Sequence, residues 1–328
     1  RLKKNYRLMD DFDQKYLIYR NHRAFDAIEN IELISDTVKP WERAKTLSYY
    51  FNAVAEELVT AEDLKKDPDP AVQVLAKAYE LYQAMLAEEN AMDFSSIQVI
   101  AYNLLKENET VRQKVQEQLC YVMIDEYQDT NYVQEQLVFM IAEKHRNICV
   151  VGDDDQGLYR FRGATIRNIL EFPSKWGSCV QYSLVENYRS EKDIVNFYNE
   201  WMQDTEEGGF EWKNFRYSKT IIPSKPHQVE GVPTVIKVSG QRAQQNWGSR
   251  IIDFIGKLKA SGTITDYNQV AFLFRSVKNE RVKTLADYLE QHGIPIYSPR
   301  SDMFFERDEI KLLIGTLLVV FPDYLKSL

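Results

Sequence analysis

The sequence predicts an α/β protein with a largely helical amino-terminal third, and three observations carry that reading. Residues 1–118 hold apolar side chains at helical spacing. From residue 121, short apolar runs alternate with helical segments, the pattern of βαβ units on a parallel sheet. The first two of those runs end abruptly in dense polar blocks, as strands do at the edge of an open sheet where ligands bind.

Taken in order, Asp11 to Ile34 mixes apolar and charged residues at helical spacing, and Pro40 breaks the chain before a helix over Trp41 to Val59. Within that helix Trp41, Tyr49, Tyr50 and Phe51 read as core rather than as a platform for nucleobases. Asp67-Pro68-Asp69-Pro70 is a stop signal, and Pro70 suits the first turn of the next helix. That helix, Ala71 to Asn90, shows an apolar stripe at Val74, Leu75, Ala78, Leu81, Tyr82 and Met85. Asp93 is placed to cap a helix over Phe94 to Lys106. Strands are predicted at 121–124, 147–151 and 180–185, with helices near 132–144, 165–172 and 190–203. A loop-like stretch runs from Gln203 to Gly231, its acidic Asp204-Thr205-Glu206-Glu207 read as solvated. A second α/β block then has strands near Thr234 to Val238 and Gln269 to Phe274, and helices near Gln245 to Lys259 and Arg281 to His292. The domain break is predicted between residues 186 and 195.

Bulk properties narrow the function classes. A length of 328 residues suggests about two domains, and 44% hydrophobic residues are enough for real cores. Residues 1–190 carry the whole net charge of −8, while residues 191–328 are balanced. A bulk basic footprint for nucleic acid is therefore absent, and any such contact must come from a local groove. The longest apolar stretch, Leu312 to Phe321, is far short of the ~20 residues a membrane helix needs. Cys120, Cys149 and Cys179 lack metal-type spacing, and the first residues resemble no secretory leader, which suits a reducing cytoplasm.

The chemistry concentrates in three blocks. Tyr121-Val122-Met123-Ile124 leads into Asp125-Glu126-Tyr127-Gln128-Asp129-Thr130. Two neighbouring acids at a strand end suit nucleoside triphosphate hydrolysis, one holding Mg²⁺ and the other orienting and deprotonating a water. On their own they suit a solvated acidic turn equally well. The second block, Gly152-Asp153-Asp154-Asp155-Gln156-Gly157-Leu158-Tyr159-Arg160-Phe161-Arg162-Gly163-Ala164, follows another apolar run and should reach the same edge. There Gln156 could meet a terminal phosphate or a nearby water. Tyr159, Phe161 and Arg162 interleave aromatic and cationic groups in the manner of single-stranded nucleic acid sites. In the third block, Glu186-Asn187-Tyr188-Arg189-Ser190, Arg189 could neutralise charge on a transferred phosphoryl group, and Tyr188 offers a flat face to a base.

In this order the blocks closely resemble motifs II, III and IV of the UvrD/Rep/PcrA-type superfamily 1 DNA helicases. Phe304-Phe305-Glu306-Arg307-Asp308-Glu309-Ile310-Lys311 resembles a later segment of the same family. The resemblance implies RecA-like parallel sheets of the P-loop NTPase type with a helical insertion domain. It places that insertion at 1–95, the remainder of the first RecA-like domain at 96–189, and the first part of the second at 190–328. By matching position, Asp125 is the acid that helps hold Mg²⁺ and Glu126 the base that activates water. Gln156 matches the glutamine coupling γ-phosphate to DNA, Tyr188 the residue stacked on adenine, and Arg189 the arginine reaching the γ-phosphate. Tyr159, Phe161 and Arg162 match the DNA contacts, although many relatives carry tryptophan where Phe161 stands. ATP and Mg²⁺ are the implied cofactors, and single-stranded and partly duplex DNA the implied partners, with no membrane. Gly157 stands where serine is common, and Pro299 to Met303 replace a short glycine-rich turn.

No segment of the chain matches G-x-x-x-x-G-K-[ST], the loop whose amides cradle phosphates. The nearest Gly-Lys pair, Gly256-Lys257, is followed by leucine inside a helical pattern. Two expectations follow from that gap. The chain resembles a central slice of a helicase that is inactive by itself, with the remaining motifs, and any nuclease module, elsewhere in the parent. Alternatively, it is a non-catalytic DNA-binding or scaffold protein descended from a helicase.

Overall fold

The computed structural model describes residues 4–157, 166–203, 216–227, 234–236, 247–277, 279–298 and 308–321. Contacts divide the chain into residues 1–235 and 236–328.

The first unit opens with a short strand β1 (Arg7–Leu8), followed by helices α1 (Asp11–Arg20) and α2 (His22–Asp26). The continuous helical spacing over Asp11 to Ile34 is broken at two asparagines. Asn21 turns its amide back onto the Leu17 carbonyl at 2.8 Å, and Asn30 adopts a left-handed conformation, φ 62°. Short polar side chains compete with the helix for its own hydrogen bonds, which is why the spacing does not yield one helix. Helices α3 (Pro40–Glu56), α4 (Ala61–Lys66) and α5 (Pro70–Glu88) follow, with Pro40 and Pro70 both in first turns. Ala44, Leu47, Phe51 and Val54 form the buried stripe of α3, and Val74, Ala78 and Tyr82 that of α5. The Phe51 and Tyr82 rings stack at 4.8 Å. Of the aromatic group expected in the core, Phe51 is buried, but Tyr49 faces solvent because it lies on the opposite side of α3.

Strand β2 (Ala91–Met92) pairs in parallel with β1, and helix α6 (Phe94–Glu107) begins at the predicted cap. The Asp93 carboxylate accepts the Ser96 amide hydrogen at 2.6 Å, and Ser96 Oγ accepts from the Asp93 N–H at 2.9 Å. Asp93 is itself buried and does more than cap. Its other oxygen accepts from the Tyr82 hydroxyl of α5 and from Gln14 of α1 at 3.2 Å. Gln14 also donates to Asn52 of α3 at 2.8 Å. One carboxylate thus ties three helices and reaches a fourth through Gln14. Burial and the neighbouring Asp93 charge push the Tyr82 hydroxyl far up from its ordinary titration range.

After α7 (Glu109–Gln118), strand β3 (Val122–Ile124), helix α8 (Tyr132–Ala142) and strand β4 (Ile148–Val150) form a parallel βαβ unit. Helix α9 (Ile166–Trp176), strand β5 (Glu186–Asn187), helix α10 (Lys192–Trp201) and strand β6 (Ile222–Pro223) complete the unit, with β5 parallel to β6. Residues 180–184 are not a strand: Val180, Tyr182 and Leu184 are exposed, and among the described residues the ladder begins only at the Val185 carbonyl, which accepts the Ile222 N–H of β6 at 2.7 Å. Apolar alternation supplies the faces of a strand, but the ladder needs a second chain segment.

The second unit comprises α11 (Trp247–Ala260), α12 (Glu280–Gln291) and α13 (Asp308–Val320). Its core gathers Ile255, Ile264, Leu285, Leu289 and Ile294. Gly293, φ 76°, ends α12 in the left-handed conformation that glycine adopts without strain. Gln269 closes a single 3₁₀ turn, and 270–274 and 234–236 are unpaired, so the strands predicted there are absent among the described residues. No helix of the described residues is long and apolar enough to cross a membrane.

Replacing Asp93 by alanine should destabilise the chain by roughly 2–4 kcal/mol, combining a lost helix cap with buried donors left unpaired. Asp93→Asn, which keeps an acceptor, should lose less than half of that. Urea midpoints of the two variants check the ordering.

Candidate functional site

Parallel pairing of β3 with β4 sets Val122 against Ile148, Met123 against Cys149 and Ile124 against Val150. Two further bonds carry the ladder past the strand ends, from Val151 N–H to the Ile124 carbonyl at 2.8 Å and from Tyr127 N–H to the Val151 carbonyl at 2.9 Å. Asp125-Glu126 and Gly152-Asp153 therefore leave the sheet at one edge. Glu126 is left-handed there, φ 51°, a conformation that costs a non-glycine residue about 1–3 kcal/mol. Asp125 Oδ1 accepts the Glu126 amide hydrogen at 2.9 Å. Both carboxylates are exposed, and neither pairs with a basic side chain among the described residues.

Beneath them lies Gln128, only 1% exposed. Its amide nitrogen donates to Glu126 Oε2 at 2.6 Å, and its oxygen accepts from the Asp153 N–H at 3.0 Å. Asp153 Oδ2 in turn accepts from the side chain of Gln156 at 2.8 Å. Glu126, Gln128, Asp153 and Gln156 thus form one hydrogen-bonded chain across two strand ends. Gly152 makes the approach possible, because a Cβ there would stand 2.5 Å from Gln128 Oε1 and 2.8 Å from Ile169 Cδ1.

The carboxylates of Asp153, Asp154 and Asp155 also converge, with oxygens within 4.8 Å of one another. This cluster is closed by cations. Lys219 Nζ lies 2.7, 2.6 and 3.0 Å from the three carboxylates, and Arg216 Nε lies 2.9 Å from Asp155. Asp154 also accepts the Tyr217 N–H at 2.6 Å, and Asp155 accepts the Tyr198 hydroxyl of α10. Burial alone would raise the Asp153 carboxyl, but bonds from Lys219 and Gln156 hold it below the ordinary carboxylate value. Lys219 shows the mirror balance: burial lowers it, and the three aspartates push it well above the usual lysine value. The cluster is thus largely compensated from within, two cations against three carboxylates, whereas Asp125 and Glu126 have no such partner among the described residues.

The turn that bears the acids is supported from below. Tyr127, fully buried, donates its hydroxyl to Glu135 Oε1 at 3.1 Å, and Glu135 Oε2 pairs with Lys175 of α9 at 2.8 Å. Phe172 of α9 meets the Tyr127 ring edge-on at 5.4 Å, and Asn168 Nδ2 spans the carbonyls of Thr130 and Asn131 at 3.2 and 3.3 Å. Asn131 caps α8 through the Gln134 amide at 2.9 Å and reaches Gln98 of α6 at 3.0 Å.

Tyr188 and Arg189 stand apart from this chain of bonds. Asn187 Oδ1 accepts both the Arg189 and Ser190 N–H groups, at 3.0 and 2.8 Å, and so shapes the turn. Both side chains are exposed, and the Tyr188 hydroxyl, bonded to Glu186, is raised by that carboxylate. Among the described residues no hydrogen bond joins either to Glu126 or Gln156. Tyr159, Phe161 and Arg162, and Phe304 to Arg307, lie outside the described residues.

Sequence reasoning did not single out Gln128, Glu135, Arg216 or Lys219. Gln128 sits within the recognised acidic block, and three consecutive aspartates were a signal that cations must lie near. Lys219, however, falls in a stretch read as loop, and nothing in its neighbours in sequence points 65 residues back.

Residues 1–176 match the UvrD/REP helicase N-terminal domain, and residues 182–324 match the UvrD-like helicase C-terminal domain. Similar proteins include the ATP-dependent DNA helicase PcrA of Staphylococcus epidermidis, 29% identical over 320 residues, and that of Staphylococcus aureus, also 29% over 320. Each alignment covers 97% of this chain, which spans 40% of the length of these curated relatives.

Gly152→Ala should destabilise the chain by roughly 1–3 kcal/mol through displacement of Gln128, measurable as a lowered urea midpoint. Lys219→Met should cost roughly 3–5 kcal/mol at neutral pH by leaving Asp153 and Asp154 without their cation and only Arg216, on Asp155, to offset the cluster. The depressed Asp153 stabilises the wild type fully above the ordinary carboxylate value, and this is lost as pH falls through its lowered one. The raised Lys219 contributes below the ordinary lysine value, and this is lost as pH rises through its raised one. Acidification from pH 7 to about 4 should therefore stabilise Lys219→Met relative to wild type, as protonation relieves the repulsion. Urea titrations at several pH values test the sign.

Proposed function

The chain belongs to the UvrD/REP helicase family, and from that premise we propose that it supplies the central part of an ATP-dependent 3′→5′ DNA helicase and single-stranded DNA translocase. Family membership implies RecA-like domains of the P-loop NTPase type. In the proposed division, residues 1–95 are a helical insertion, 96–189 continue the first RecA-like domain, and 190–328 begin the second. Residues 190–235 would then belong to the second RecA-like domain by descent while packing within the first contact unit.

The observation that carries the proposal is the bonded chain from Glu126 through Gln128 and Asp153 to Gln156. It joins the acid proposed to activate water to the glutamine proposed to sense the γ-phosphate. A divalent cation fits Asp125, whose exposed carboxylate faces no competing ammonium or guanidinium among the described residues. The neighbouring triple-aspartate cluster does not fit one, because Lys219 already stands among its three carboxylates and Arg216 pairs with Asp155. Bound Mg²⁺ would offset the charge of the triphosphate. Glu126 accepts the proton of the attacking water at its carboxylate, and Gln156 donates toward the phosphate edge. Tyr188 stacks on the adenine of ATP, and Arg189 neutralises charge developing on the transferred group as an arginine finger. Tyr159, Phe161 and Arg162 hold single-stranded DNA by stacking and phosphate contact. Single-stranded and partly duplex DNA are the proposed partners, and the cytoplasm the proposed location.

In the complete protein, Glu126→Gln should keep ATP binding and lower DNA-stimulated turnover by at least about a hundredfold. Near-normal hydrolysis by that variant would remove the assignment of the base. The 328-residue chain by itself, which contains no phosphate-cradling loop, should show no DNA-stimulated ATP hydrolysis in a phosphate-release assay. Activity there would show that another segment cradles the phosphates.

A further inference from the structure

We infer that Gln128 is a positioning residue for Glu126, fixing the direction of the carboxylate from the backbone of the neighbouring strand end. The inference rests on the proposed role of Glu126 as the water-activating base.

Four features of the site converge on it. Gln128 is all but fully buried and uses both ends of its amide, one on Glu126 and one on the Asp153 backbone. An amide side chain is the group that can do this, since it donates at one atom and accepts at the other. The backbone of Glu126 is left-handed, so the side chain leaves the strand end in a direction the strand does not set. An exposed carboxylate on a long side chain would otherwise sample several rotamers, and a 2.6 Å bond from a buried donor selects one. Finally, Gly152 leaves room for the Gln128 oxygen, with no space for even a methyl group between them. The frame behind Gln128 is rigid as well: Tyr127 bonds the Val151 carbonyl and Glu135, and Asp153 is held by Lys219.

Only one carboxylate oxygen of Glu126 is engaged by Gln128. The bond to Oε2 leaves Oε1 free of any described partner and therefore open to accept a water proton. Because the Asp153 that anchors Gln128 also accepts from Gln156, a shift of the Gly152–Gln156 loop moves the amide and, with it, the Glu126 carboxylate. Gln128 thus connects the proposed sensor with the proposed base without touching substrate itself.

The test is steady-state ATPase kinetics on the complete protein. Gln128→Met keeps the volume of the buried side chain and removes both hydrogen bonds. It should lower kcat about 10- to 100-fold, the usual range for losing a group that orients a reacting one. KM for ATP and affinity for single-stranded DNA should stay within about twofold. Gly152→Ala should lower kcat about tenfold with Gln128 present, but by less than about twofold on a Gln128→Ala background, where the clash with the Gln128 oxygen is gone and only the tip of the Ile169 side chain must give way. A purely structural role would instead lower kcat, ATP binding and DNA binding together, and the two substitutions would then act independently. Unchanged kcat in Gln128→Met, alongside an inactive Glu126→Gln, overturns this inference and leaves the base assignment standing. An active Glu126→Gln overturns both.

Discussion

The parallel register between Val122–Ile124 and Ile148–Val150 is the constraint on which the site depends. Two segments separated by a helix are brought side by side pointing the same way, so their polar sequels emerge at one edge. A shift of one residue would reverse which side chains face the core and would separate Gln128 from the Asp153 amide. The ladder is short, yet it is extended by the Val151 and Tyr127 bonds and backed by a buried tyrosine, a buried glutamate and the aromatic face of α9. Rigidity at this edge therefore comes from what lies beneath the strands more than from the strands themselves.

Five carboxylates crowd this edge, and their different treatment defines its chemistry. Asp154 and Asp155 are nearly removed from water, where an uncompensated charge is costly, and they are matched by Lys219, Arg216 and two tyrosines. Asp125 and Glu126 remain in solvent, with hydrogen bonds that orient them but no countercharge among the described residues. The closed cluster holds its loop in place, while the open pair keeps charge for a ligand. Asp153 belongs to both arrangements, giving its backbone to Gln128 and its carboxylate to Lys219 and Gln156.

Helical content was legible where side chains obey local rules. Pro40 and Pro70 start helices because proline gives up nothing in a first turn, and Asp93 caps α6 because its carboxylate meets free amides. Reading failed where the deciding partner lies elsewhere. Asn21 and Asn30 broke one helical pattern into pieces, and Tyr49 fell on the exposed side of α3. The apolar runs at 180–184 and 270–274 had strand character without a described neighbour to pair with, and pairing begins only at Val185, against Ile222. Asp93 was foreseen as a cap but not as the buried junction of α1, α5 and α6.

By itself the sequence determined the class of the fold, the edge at which chemistry gathers and the family, because these follow from local periodicity and from the order of three short blocks. It also identified Asp125, Glu126 and Gln156 as candidates, since carboxylates and amides after apolar runs must lie near strand ends. Only the tertiary structure decided which acids are open and which are neutralised. Lys219 answers Asp154 from 65 residues away, and Gln128 reaches Asp153 across 25. Such pairings are set by strand register and helix packing. Electrostatic compensation acts through space, and one-dimensional spacing does not record it.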